Sequence, residues 1–215
     1  MRYRRPRALG IAAIALAGIA SAVVYPDLPA RLATNWGLDG GVNGTMTRPL
    51  GAFFLPALAA GVYLFMLVSP RFDPRKRNIE AFRGIYEWFA AGMMWFLGYV
   101  HALVLLWNLG VRPPIGAALA PAIGAVLYGA GLLVERAEPN WIAGIRTPWT
   151  LDDDVVWERT NRRAALALKF AGIAALGGLL VPDAAIAFVV VPALLAVAYI
   201  TVYSYVVYRQ RGTAR

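Results

Sequence analysis

The chain has 215 residues, 60% hydrophobic and 15% charged, with a mean hydropathy of +0.57 and a formal net charge of +9. Its apolar residues fall in long blocks, the pattern of a polytopic membrane protein rather than of a soluble domain around one core. Cysteine is absent and histidine occurs once, which excludes disulfides, thiolate chemistry, cysteine metal sites and multi-histidine clusters; no cofactor or metal is expected.

In chain order, a cluster of four arginines within 1–7 precedes an uncharged apolar run, 8–24, the first predicted span. Ala20-Ser21-Ala22 also resembles a signal-peptide cleavage site, but the run is long enough to cross and ends at Tyr25-Pro26, as retained spans do. Residues 25–49 are rich in Gly, Pro, Asn and Asp and predict a folded outer loop, with Asn35, Trp36 and Asp39 as candidates to contact a peptide or lipid headgroup. An interfacial tryptophan above a turn-closed loop explains the same residues structurally. Span two is 50–69, where Pro56 frees a carbonyl that a neighbouring helix or hydroxyl must satisfy. A basic return loop, 70–84, leads to span three, 85–109, which carries His101 and Asn108 seven residues apart on one helical face. An intramembrane ionisable residue is a functional candidate, and equally a group hydrogen-bonded to the next helix.

Span four, 115–134, has Gly116, Gly124 and Gly131 spaced for close helix contact. Spans five and six, 164–181 and 184–208, form a helical hairpin about Pro182-Asp183. The expected fold is an all-α bundle of six transmembrane helices. It divides into an amino-terminal membrane region, 1–110, and a carboxy-terminal one, 111–215. With both termini cytoplasmic, all but Arg31, Arg48 and Arg112 of the 21 lysines and arginines lie inside, and three acidic residues offset those three outside. The whole net charge then sits on one face, as the positive-inside rule requires of a multi-pass plasma-membrane protein. Contact with anionic membrane lipids explains the basicity without direct nucleic-acid binding.

The longest polar interruption, 135–163, is cytoplasmic in this arrangement. After Pro148, Thr150 is the expected helix cap with Asp153 at the third helical position, so the run Asp152 to Asp154 reads as dipole-complementing carboxylates on a helix beginning near Leu151. Around Trp141, Trp149 and Trp157 stand Arg146, Thr147, Arg159, Asn161, Arg162 and Arg163. Such a surface can bind an acidic partner or peptide through charge-assisted hydrogen bonds and cation–π contacts; interfacial anchoring accounts for the indoles alone.

The run Asn140-Trp141-Ile142-Ala143-Gly144-Ile145-Arg146-Thr147-Pro148-Trp149-Thr150-Leu151, followed by Val156-Trp157-Glu158-Arg159-Thr160-Asn161-Arg162, closely resembles the signature of the SdpI family, with Asn161 where that pattern usually has histidine. Leu28-Pro29 and Asn35-Trp36-Gly37-Leu38-Asp39-Gly40 look like the small uncharacterised domain that often precedes it. The resemblance implies a non-enzymatic immunity protein that protects against a membrane-active, sporulation-delaying peptide toxin outside the cell, and that in the best-known system captures a cytoplasmic repressor. It assigns partner binding to Asn140, Trp141, Gly144, Arg146, Thr147, Pro148, Trp149, Trp157, Thr160, Asn161 and Arg162. Two other classes remain open from the residues: a small-solute transporter lined by His101, Asn108 and Pro56, and an intramembrane enzyme using Asp152 to Asp154 and Glu158.

Overall fold

The computed structural model describes residues 3–37 and 40–212. Asp39 of the outer loop therefore lies outside the described residues. The helices are α1 (Arg4–Val24), α2 (Arg48–Val68), α3 (Lys76–Asn108), α4 (Ile115–Arg136), the short α5 (Pro148–Asp152), α6 (Asp154–Ala174), the single turn α7 (Gly177–Leu180) and α8 (Ala185–Gly212). Among the described residues, six helical stretches are long and apolar enough to cross a membrane. Their outward faces carry large apolar side chains, among them Phe65, Phe170 and Leu180 at 68%, 71% and 86% exposure, which lipid rather than water must cover.

Residues 25–49, predicted as a loop, contain an antiparallel hairpin, β1 (Arg31–Trp36) and β2 (Val42–Thr47), with Leu32 opposite Met46 and Trp36 opposite Val42. Leu28 and Leu32 root it against Ala52 of α2 and Leu105 of α3. Among the turn formers that suggested a loop, Gly37, Gly40 and Gly41 lie between the strands and hydrogen-bond to one another, while the strands follow from this anchoring on the bundle.

Helices α1, α2 and α3 pack on one another, as do α4, α6 and α8, and α3 meets α4 between the two groups. The α4–α6 contact is backbone to backbone. A Cβ on Gly172 would stand 2.5 Å from the Gly124 carbonyl oxygen, and one on Gly131 would stand 2.8 Å from that of Ala165. Without a hydrophobic drive between helices in lipid, such close approach is what holds them. Gly172→Leu is expected to force the pair apart at a cost of about 1–3 kcal/mol, read as a lowered thermal midpoint of detergent-solubilised protein by size-exclusion.

Two element boundaries differ from expectation. Helix α3 begins at Lys76 and so takes in the end of the basic return loop. Ile79, Phe82 and Tyr86 bury there against Trp157, so an amphipathic face extends the helix about two turns beyond the apolar run. At about 1.5 Å per residue this helix is roughly 50 Å long and outreaches the hydrocarbon core. Secondly, Thr147, not Thr150, caps α5, in a reciprocal capping box with Thr150. Asp153 leaves helical geometry altogether (φ −131°, ψ 114°) and caps α6 through the amides of Val155 and Val156. Pro148 favours the first helical position rather than excluding helix after it, which moves both caps.

The freed carbonyl that Pro56 implies belongs to Ala52, and Ser21 Oγ of α1 donates to it. His101 Nε2 lies 2.7 Å from that same hydroxyl oxygen. Because Ser21 spends its proton on Ala52, the imidazole is the donor in this second bond. His101 is thus the end of a three-helix polar chain that repairs a proline break. At the other end of α1, Arg7 forms a bidentate pair with buried Glu87 (2.6 and 3.0 Å), and Arg83 joins it at 2.9 Å. Lys169 pairs with Glu135 at 2.7 Å.

Candidate functional site at the motif loop

The segment between α4 and α6 is a folded plug built on buried amides and hydroxyls. Asn140 is fully buried and makes its hydrogen bonds to backbone alone: its Nδ2 donates to the carbonyls of Glu138 (2.7 Å) and Ala143 (2.8 Å), and its Oδ1 accepts from the amides of Ile142 and Ala143 (both 2.7 Å). These four bonds close the turn at 140–143. Gly144 follows with φ +118°, a left-handed conformation that lets the chain reverse against the face of Trp157.

Asn161 bridges the plug to α6. Its Oδ1 accepts from the Ile145 amide at 2.8 Å, and its Nδ2 donates to the Trp157 carbonyl at 3.0 Å. Trp157 is 1% exposed, donates Nε1–H to the Ala137 carbonyl at 2.8 Å, and packs with Phe82, Tyr86 and Leu133. Thr150, also buried, donates to the Ile145 carbonyl at 2.7 Å and accepts from the Thr147 amide at 2.8 Å. Trp149 reaches across to α8, with Nε1–H on Ser204 Oγ at 3.0 Å and its ring against Tyr205 and Tyr208.

The predicted site residues therefore separate. Asn140, Trp157, Thr160 and Asn161 are buried; Gly144, Thr147 and Trp149 are half-buried and engaged internally. Trp141, Arg146 and Pro148 are exposed, and Arg146 reaches the Trp141 carbonyl with Nη1, which aligns the guanidinium beside the indole-bearing residue. Arg162 is exposed but lines a separate cleft with Arg159, Arg163, Leu166 and Tyr203.

Asp73 and Asn78 lie outside the motif in the sequence, yet both are central to the site. Asp73 Oδ2 accepts from the Trp141 amide at 2.8 Å while its Oδ1 accepts from the Arg75 amide at 2.7 Å, and Asn78 donates to the Pro139 carbonyl at 2.7 Å. The sequence signal for them is Asp73-Pro74, an Asx-turn dipeptide in an otherwise basic loop.

The carboxylates do not converge. Asp153 is turned inward as a cap, Asp154 pairs with Arg75 at 2.8 Å, and among the described residues no three His, Asp or Glu groups gather as metal ligands. Burial by itself would raise the Asp153 carboxyl; the Val156 and Val155 amides and the Arg211 guanidinium (3.3 Å) outweigh it and hold it below the usual carboxylate range. Its stabilising contribution is thus complete above the unfolded-state value and is lost as pH falls through the lower folded one, in the region below about 4. Wild-type protein should show a falling thermal midpoint there, and Asp153→Asn a flatter profile.

At the opposite end of the bundle, Asn35 is exposed, while Trp36 packs edge-on against Trp107 (5.3 Å), over which Arg112 lies at 6.0 Å. Trp36 Nε1 is buried without a hydrogen-bond partner, and the residue lines a crevice with Pro114, Ile115, Leu119, Asp183 and Ile186. Asn108 occupies the free edge of β1, accepting from the Ala33 amide at 2.8 Å and donating to its carbonyl at 2.9 Å. His101 and Asn108 are engaged in packing rather than lining a path.

Residues 136–204 match the SdpI/YfhL protein family, and residues 12–60 match a domain of unknown function, DUF1648. The chain is 28% identical over 209 residues to immunity protein SdpI of Bacillus subtilis (strain 168), covering 96% of this chain and 98% of that protein. No solved structure matches.

Proposed function

For this multi-pass plasma-membrane protein, whose residues 136–204 match the SdpI/YfhL protein family and which is similar to an immunity protein along nearly its whole length, we propose a role in immunity: it protects the membrane that holds it from a membrane-active peptide toxin. In this reading the hairpin end faces outward and meets the toxin at the crevice beside Trp36. The motif plug faces the cytoplasm and presents Trp141, Arg146 and Pro148 to an acidic segment of a regulator. The division into regions 1–110 and 111–215 belongs to the same proposal, with toxin contact assigned to the first and regulator contact to the second.

The observation that carries this reading is helix α3. Its Asn108 holds the β1 edge at Ala33, and its Asn78 holds the motif plug at Pro139, so one continuous helix is fastened to both candidate surfaces. A rigid element tied at both ends is one physical route by which a binding event on one face can bias the other, provided that it has two arrangements.

Expression in a host killed by a sporulation-delaying-type peptide tests it. Cells carrying the protein should survive toxin concentrations that kill cells carrying an empty vector. Equal killing across such peptides, with the protein verified in the membrane, would sink the assignment. No observation favours the transport or enzyme readings over this one.

A further inference from the structure

Arg159, Arg162 and Arg163 stand at i, i+3 and i+4 on α6 and line one cleft with Leu166 and with Tyr203 of α8. All three are exposed, and among the described residues none is in an ion pair; Arg163 lies 5.9 Å over the Tyr203 ring. Other cations at this end have acidic partners, as in Arg75 with Asp154, Arg83 with Glu80 and Glu87, and Lys169 with Glu135. Three unmatched guanidinium groups with a phenol beside them form a concave donor set for a phosphate.

The same groove continues along the helices. One and two turns deeper it is lined by Ala167, Phe170, Pro192, Leu195, Ala196 and Tyr199. Phe170 and Leu195 are 71% and 65% exposed, so this floor is apolar and uncovered. The chain runs deeper along α6 while α8 returns antiparallel, so the arginines mark one end of a channel whose remainder lies within the membrane-spanning segments.

We propose that the α6–α8 groove is a binding site for an anionic phospholipid, with its phosphate on Arg159, Arg162 and Arg163 and an acyl chain laid along Phe170 and Leu195. Charge selects the headgroup, and the apolar continuation selects a lipid over a free phosphate or an acidic peptide, neither of which covers the groove. This inference is independent of the immunity reading and places Arg162 at a lipid rather than in the regulator surface.

The full-length protein, released from nanodiscs of equal phosphatidylglycerol and phosphatidylcholine, is subjected to native mass spectrometry for retained lipid. Phosphatidylglycerol should be retained selectively. The R159Q/R162Q/R163Q variant should retain it about a hundredfold less well, taking the usual contribution of a basic residue near a membrane surface. The R71Q/K76Q/R77Q variant removes equal charge from three positions at the same end and should change retention by less than about threefold, since distant exposed charges are screened. Arg163→Gln alone substitutes if the triple variant misfolds, with a loss of about fivefold expected. Equal retention of the two lipids, equal loss in both triple variants, no loss in the groove variant, or full displacement by millimolar inorganic phosphate would each overturn the proposal.

Discussion

Gly144→Val should abolish the folded motif plug. At φ +118° a β-branched residue is strained in any surroundings, and here the surroundings are also full: a Cβ would stand 2.7 Å from the Trp157 ring and 2.9 Å from Asn161 Oδ1. Trp157 is held by its bond to Ala137 and by the α3 core, and Asn161 by its two backbone bonds, so neither can yield cheaply. Backbone strain of about 1–3 kcal/mol and overpacking of about 1–3 kcal/mol act together. The expected result is loss of monodisperse protein, or a thermal midpoint lower by roughly ten degrees if it survives. Gly144→Ala should fall between, because it keeps the strain with a smaller side chain. A valine variant as stable as wild type would mean that the reversal at Gly144 is not a fixed feature of the fold.

Glu87→Leu should be comparably damaging at a different place. The Glu87 carboxylate is fully buried and serves two guanidinium groups, Arg83 with 10% side-chain exposure and Arg7 with 41%. Leucine fills the volume but leaves Arg83 with only the exposed Glu80 at 3.2 Å, and breaking a buried pair by removing one partner costs about 3–5 kcal/mol when nothing replaces it, so this loss falls toward the lower end. Arg7 adds little, since it can turn to water. The charge logic predicts partial rescue: Glu87→Leu combined with Arg83→Leu should be more stable than Glu87→Leu alone, because no buried guanidinium is then left with only the exposed Glu80 as partner. Thermal unfolding of the single and double variants in the same detergent measures it. A double variant less stable than the single would show that the arginine stems matter more than the charge balance.

The transmembrane helices were legible because six long apolar runs in 215 residues are far more than one soluble core can bury, so only lipid can cover them. Pro56 likewise announced its own unsatisfied carbonyl, which Ser21 answers. The hairpin was not legible. Its strands are short and turn-rich, and Leu28 and Leu32 acquire meaning only once α2 and α3 stand behind them. The early start of α3 was hidden for a related reason: Ile79 and Phe82 are sparse among charges, and their partner Trp157 lies far along the chain.

The motif was easy to find and harder to interpret. Its dense polar residues suggested a binding surface, yet Asn140, Thr147, Thr150 and Asn161 satisfy backbone groups inside the plug. Asn140 and Asn161 do so without charge. Where the family resemblance expects histidine, Asn161 offers one acceptor and donors in one side chain, and a neutral imidazole offers one of each; the bridge between Ile145 and Trp157 needs only that pair. What a sequence does not reveal is which polar residue turns inward, and here burial leaves Trp141, Arg146 and Pro148 as the exposed edge.

The two ends of the molecule are best separated by toxin survival measured in one host for wild type, Trp36→Ala, and the double variant Trp141→Ala/Arg146→Ala, with membrane levels matched. Wild type should protect, Trp36→Ala should lose most protection because this indole, its N–H without a hydrogen-bond partner, lines the outer crevice, and the double variant should protect as wild type does. Failure of wild type to protect, or loss of protection in the double variant with Trp36→Ala unaffected, would contradict the assignment of toxin contact to the hairpin end.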